Sequence, residues 1–123
     1  MKNKKIMIIG GTGALGKSLT GRWYGDNEII VFSRNEHKQE AMKREYPSAV
    51  YRIGDVKDKE SILRVMYEFK PHVIVNTAAL KTVWVAQDNP YETILTNIVG
   101  HQYLIDCVRE CRHQIESLMF IST

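Results

Sequence analysis

Only two of the 123 residues are cysteine, Cys107 and Cys111, and they stand four apart. That is not the Cys-x-x-Cys spacing of a redox or zinc site. On a helix it puts both on one face, which reads as buried free thiols in a reducing cytosol and so as a cytoplasmic protein. His113 lies nearby, but the cysteine spacing is not that of a metal site, and no metal is expected. Long apolar runs are missing as well. Nothing approaches the roughly 20 apolar residues that a membrane-spanning helix needs. The basic opening Met1-Lys2-Asn3-Lys4-Lys5 leads only into Ile6 to Ile9, too short for a signal peptide. There is no internal repeat, low-complexity tract or linker, and no excess of one charge. Net charge is +3, which gives no argument for nucleic acid. Apolar content of 44% and charged content of 25% suit one globular domain over residues 1–123.

What is present is a short apolar run entering a glycine turn: Lys5-Ile6-Met7-Ile8-Ile9-Gly10-Gly11-Thr12-Gly13-Ala14-Leu15-Gly16. Glycine lets the backbone turn tightly and approach a ligand, because no Cβ stands in the way. A helix opening behind the turn aims free N–H groups and the positive end of its dipole at the same spot, which suits a pyrophosphate. Gly10, Gly13 and Gly16 form a Gly-x-x-Gly-x-x-Gly variant of the dinucleotide fingerprint, with Thr12, Ala14 and Leu15 between them.

The rest of the chain alternates strand and helix patterns. A first helix is expected over about Ala14 to Tyr24, with Leu15, Leu19 and Trp23 toward the sheet. A second strand follows at Glu28 to Phe32, then a polar helix at Glu36 to Tyr46 with only Ala41, Met42 and Tyr46 inward. Strand three is Ala49 to Ile53, helix three Lys59 to Phe69, and strand four Val73 to Asn76. An irregular stretch over 83–89 precedes a long helix, about Tyr91 to His113. Two apolar rows mark it, one of Ile94, Ile98, Ile105 and Val108, the other of Leu95, Val99, Tyr103 and Cys107. Ser117 to Thr123 is the fifth strand. Right-handed crossovers then predict a doubly wound α/β parallel sheet of the Rossmann kind, in order 3-2-1-4-5, with helices on both faces.

Three places outside the glycine turn carry chemistry. An NAD-binding domain usually sets a carboxylate about 20 residues beyond the glycines to hold the ribose 2′-hydroxyl. Here Ser33-Arg34-Asn35 stands there, with Lys38 one helical turn on. Donors and positive charge suit a 2′-phosphate, so NADP is expected over NAD. Asp55 closes the third strand, where it fits either an acceptor for the adenine amino group or, with Asp58, a cap for the next helix. Ala78, Ala79 and Lys81 follow strand four, leaving room for close approach and offering a cation. Asn97 sits on the long helix, expected to face that loop, while His72 reads as a surface residue at a strand entry.

Taken together, Gly-Gly-Thr-Gly-Ala-Leu-Gly, Phe-Ser-Arg-Asn-Glu-His-Lys-Gln, Gly-Asp-Val-Lys-Asp, Asn-Thr-Ala-Ala-Leu-Lys, Asn-Pro-Tyr-Glu-Thr-Ile-Leu-Thr-Asn-Ile-Val-Gly and Phe-Ile-Ser-Thr occur in order. The chain resembles the N-terminal half of the extended short-chain dehydrogenase/reductases. Within them it is most similar to the polysaccharide-biosynthesis branch, the inverting UDP-N-acetylglucosamine 4,6-dehydratases. The resemblance implies a cofactor that takes a hydride from C4 of a UDP-sugar, loss of water across C5 and C6, and return of the hydride to C6. It implies that Gly10, Gly13 and Gly16 hold the pyrophosphate, and Ser33, Arg34 and Lys38 the 2′-phosphate. It places Asp55 and Val56 beside adenine, Ala78, Ala79 and Lys81 along the ribose and phosphate, and Thr123 at the edge of the reacting sugar.

The chain departs from the family's pattern at Thr82-Val83-Trp84 and Gln87, where His-Val-Pro and a nearby Glu are usual. The family's catalytic Asp-Lys pair, expected directly after Ser122-Thr123, and its Tyr-x-x-x-Lys pair do not occur; none of the six tyrosines has a lysine four residues on. A cofactor-binding piece without turnover is therefore expected, whose UDP-sugar is a partner only of a longer form, with a homo-oligomer open. The alternatives are a free-standing NADP-binding module, or the cofactor half of a sugar-nucleotide epimerase or reductase.

Overall fold

The computed structural model describes residues 1–78, 100–111 and 115–121. Along these the chain runs β1 (Lys5–Ile9), α1 (Ala14–Trp23), β2 (Glu28–Ser33), α2 (Glu36–Glu45), β3 (Val50–Ile53), α3 (Lys59–Phe69), β4 (Val73–Asn76), α4 (Gly100–Glu110) and β5 (Ser117–Phe120). All the strand pairings are parallel, and the sheet order is β3-β2-β1-β4-β5, as the crossover rule predicts.

β1 is the middle strand, and its pattern explains the layers. Ile6 to Ile9 are all buried, because alternate side chains enter opposite cores. Met7 and Ile9 join Ile30, Phe32 and Ile74 under α3 and α4, against Ile62, Val65, Met66, Leu104 and Cys107. Ile6 and Ile8 join Ile29, Val31, Val73 and Val75 on the other face, with Met42 of α2 and the half-buried Leu19 and Trp23 of α1. Of the expected inward row of α1, Leu19 and Trp23 thus reach the sheet core, while Leu15 joins neither cluster.

Three expectations are corrected at the level of single residues. Ala41 is exposed on α2, and its neighbour Gln39 is buried in its place. The polar pattern of this helix gave no hint of that, because Gln39 is held by hydrogen bonds and not by apolar contact. In α4 the fully buried positions are Gly100, Leu104 and Cys107, while Tyr103, Ile105 and Val108 are half-buried. Leu104 stood in neither apolar row, yet steps of four and three from Gly100 bring it directly onto the sheet. β2 extends through Ser33, which pairs with Ile53 and is buried, so this serine ends a strand and does not begin a loop. Of the long helix expected over 91–113, residues 91–99 and 112–114 lie outside the described residues, as does the irregular stretch 83–89.

The helix ends place the turns. Asn35 caps α2 by accepting from the Lys38 backbone N–H at 3.0 Å. Asp58 caps α3 by accepting from the Ser61 N–H, with Glu60 in the first turn complementing the helix dipole. Lys70 ends α3 in the left-handed region at φ 51°, a place where glycine is more common.

Candidate functional site

The carboxyl ends of β1, β2, β3 and β4 open onto one cavity of about 720 Å³, of the size usual for a small-molecule site. Its walls come from the glycine turn (Ile9, Gly10, Thr12, Gly13), the end of β2 and start of α2 (Phe32 to Lys38), the end of β3 (Gly54, Asp55, Val56) and the end of β4 (Thr77, Ala78). In open α/β sheets ligands bind where neighbouring connections leave the sheet in opposite directions. Here that point lies between β1, whose chain continues to β2, and β4 on its other side.

The glycines divide the work. Gly10 has φ +76°, and a Cβ there would come within 3.0 Å of the Ala78 backbone. Its hydrogen lets the first turn pass under the end of β4. The Thr77 hydroxyl fastens that approach, lying 2.8 Å from the Ile9 carbonyl oxygen and 3.0 Å from that of Gly10. Gly16 packs inward: a Cβ would sit 2.4 Å from the Cα of Gly11. Gly11, which the sequence pattern did not single out, is equally closed, with Val31 Cγ1 2.8 Å from its would-be Cβ. Gly13 differs. Its would-be Cβ meets nothing closer than the Gly10 oxygen at 3.5 Å, and it is the exposed cap residue of α1 with no side chain to occupy the helix N–H groups. Gly13 therefore leaves an open face at a helix N-terminus, and Gly10, Gly11 and Gly16 make the backbone shape that presents it.

The β2 end is built from side chains. Gln39 reaches from the first turn of α2 and donates its amide nitrogen to the Ser33 hydroxyl oxygen (2.9 Å) and to the Arg52 carbonyl (2.8 Å). Gly54 then passes so close to Phe32 that a Cβ would meet the ring at 2.4 Å. Asp55 is not the cap of α3; that role is taken by Asp58. Asp55 instead accepts from the Lys57 N–H at 2.9 Å and faces two cations, Arg34 Nη1 at 3.8 Å and Lys57 Nζ at 3.9 Å.

Most of the sequence-predicted residues meet at this cavity. Gly10, Thr12, Gly13, Ser33, Arg34, Lys38, Asp55, Val56 and Ala78 line it, whereas Ala14, Leu15 and Gly16 do not. Ala79, Lys81, Asn97 and Thr123 lie outside the described residues. Thr77, Gly54 and Gln39 were missed. Their signals are weak in sequence, since a threonine after a strand, a glycine at a strand end and a glutamine in a polar helix all have ordinary explanations.

His72 and the two cysteines are held away from this chemistry. His72 accepts from the Lys5 N–H through Nδ1 at 2.9 Å, a structural role. Both cysteines are buried and unpaired, and burial pushes the Cys107 thiol up to about 12, so it stays protonated and unreactive. Among the described residues no group of three or more acidic, His or Cys side chains could hold a metal ion.

Residues 6–123 match the family described as polysaccharide biosynthesis protein. The chain belongs to that family. A UDP-N-acetylglucosamine 4,6-dehydratase (inverting) of Campylobacter jejuni is 43% identical over 116 residues, which cover 89% of this chain and 34% of that protein. Among solved structures, Pen from Bacillus thuringiensis superposes with TM-score 0.88 at 31% identity, covering 97% of this chain and 37% of the other. A Thermus thermophilus UDP-glucose 4-epimerase in complex with NAD gives TM-score 0.82 at 25% identity, covering 97% and 37%. This polysaccharide biosynthesis family member thus spans about a third of the length of the curated relatives it matches. No described helix is long and apolar enough to cross a membrane.

Proposed function

We propose that this chain is the NADP-binding part of a nucleotide-sugar 4,6-dehydratase acting in surface polysaccharide biosynthesis, with a UDP-N-acetylglucosamine-like substrate. The observation that carries the cofactor choice is that Ser33 and Arg34 line the same cavity as the glycine turn. The open face of Gly13 at the N-terminus of α1 fits a pyrophosphate, and the turn of Gly10 fits its close approach. Ser33, Arg34 and Lys38 then fit a 2′-phosphate, with the N-terminus of α2 adding its dipole. Val56 and Asp55 flank the adenine. Ala78, Ala79, Lys81 and Asn97 take the ribose side, and Thr123 the edge of the sugar. When bound, the nicotinamide supplies a reversible hydride acceptor. The chain's own part is to grip and orient it, and it does so without the Asp-Lys and Tyr-x-x-x-Lys groups that would move protons. The polysaccharide family match and the 43% identity to a 4,6-dehydratase support this substrate class. A cytoplasmic setting fits the two unpaired thiols.

The direct test has two parts. Calorimetric titration should give tighter binding of NADP than of NAD; equal affinity would falsify the cofactor assignment. Incubation of this chain with UDP-N-acetylglucosamine and NADP should give no 4-keto-6-deoxy sugar, and its appearance would end the claim of no turnover. A second reading, the NAD-binding part of a UDP-sugar epimerase, is favoured by one feature. The Arg34–Asp55 ion pair draws part of the guanidinium's charge away from a phosphate. Tighter binding of NAD than of NADP would select it.

A further inference from the structure

We propose that Gln39 is a positioning residue that sets the cofactor preference by fixing the Ser33 hydroxyl as a hydrogen-bond donor into the cavity. This role rests on the NADP reading and deepens it.

The polarity follows from which atoms can donate. The Gln39 amide nitrogen lies 2.8 Å from the Arg52 carbonyl oxygen and 3.5 Å from that of Ser33. Carbonyl oxygens only accept, so the amide group has one orientation here, nitrogen toward the strands. Its remaining proton goes to the Ser33 oxygen at 2.9 Å. Ser33 must therefore accept from Gln39, and its own proton is turned elsewhere. No described protein group takes that proton, and Ser33 lines the cavity wall. That proton is what Ser33 offers to an acceptor in the cavity. A 2′-phosphate is a charged acceptor and gains more from that donor than a neutral ribose 2′-hydroxyl does. Chains of hydrogen bonds polarise one another, so the Gln39 donation also strengthens the serine as a donor. Burial makes the arrangement firm: Gln39 and Ser33 are 6% exposed each.

The readout is the ratio of NAD to NADP dissociation constants, which is insensitive to a general loosening of the site. Ser33→Ala should lower the NADP preference about tenfold, the size of one hydrogen bond to a charged group. Gln39→Met should lower it about fivefold, and adding Gln39→Met to Ser33→Ala should change the ratio no further. If Ser33→Ala lowers the ratio and Gln39→Met leaves it alone, Gln39 only braces the strands and the proposed role is wrong, while the NADP reading stands. If the parent chain shows no NADP preference, both fall together. Should Gln39→Met fail to fold, the parent chain itself supplies the test. The Gln39 side-chain amide proton resonance should move on NADP addition and not on NAD addition. Equal movement with both overturns the proposal.

Discussion

Two walls of the cavity are made in opposite ways. The glycine turn is made by leaving side chains out: Gly10, Gly11 and Gly16 are each packed so closely that a Cβ would meet another atom at 3.0 Å or less. The β2 end is made by side chains that hold one another, Gln39 on Ser33 and Arg34 opposite Asp55. The first wall owes its shape to sterics and is indifferent to what is attached to the ribose. The second owes its shape to hydrogen bonds and charge, and under the proposed function it is where one nicotinamide dinucleotide is told from another. General grip and specificity are thus separable, and substitutions should separate them.

The largest effect is expected at the closed end of the glycine turn. Gly16→Val drives a branched side chain into the Gly11 backbone, and urea denaturation should show a loss of about 3 kcal/mol or more, with binding lost only because the fold is. Gly13→Ser should do the reverse. The new serine is a good helix cap, so stability holds or rises slightly. Its hydroxyl takes the helix N–H groups a phosphate would use, and both NAD and NADP should weaken by roughly 2 kcal/mol, about thirtyfold. A variant that binds normally would show that the open face of Gly13 is not the pyrophosphate site.

The other wall should respond selectively. Arg34→Ala should weaken NADP about tenfold and leave NAD within a factor of two in parallel titrations. Equal loss for both would merge the two walls into one. Asp55→Asn is the smallest expected effect. The amide oxygen can still accept from the Lys57 N–H, so the turn survives. Removing the carboxylate that faces Arg34 and Lys57 should tighten NADP about threefold, within the range of a partly exposed ion pair, with no change for NAD. Weaker binding of both NADP and NAD would mean that the Asp55 carboxylate accepts from the adenine amino group instead of competing for Arg34.

Much of this protein was legible before folding was considered. Runs such as Ile6 to Ile9 and Ile29 to Phe32 have no polar break, which marks strands buried on both faces, and their spacing by helical patterns fixes a parallel sheet. The glycine spacing and the absence of a carboxylate at 33–35 are local facts as well. These features follow from the period of the chain and the conformational freedom of single residues, so one dimension contains them. What only the tertiary structure decided involves two segments arriving at one place. Asp55 faces Arg34 because the paired ends of β2 and β3 lie side by side. Gly11 must be glycine because Val31 of β2, distant in the chain, lies against it. Ser33 is inside a strand because Ile53 pairs with it, and Gln39 is buried because β2 and β3 offer it a hydroxyl and a carbonyl together. Local propensity has no term for partners of that kind. They exist only once the sheet has brought their backbones side by side.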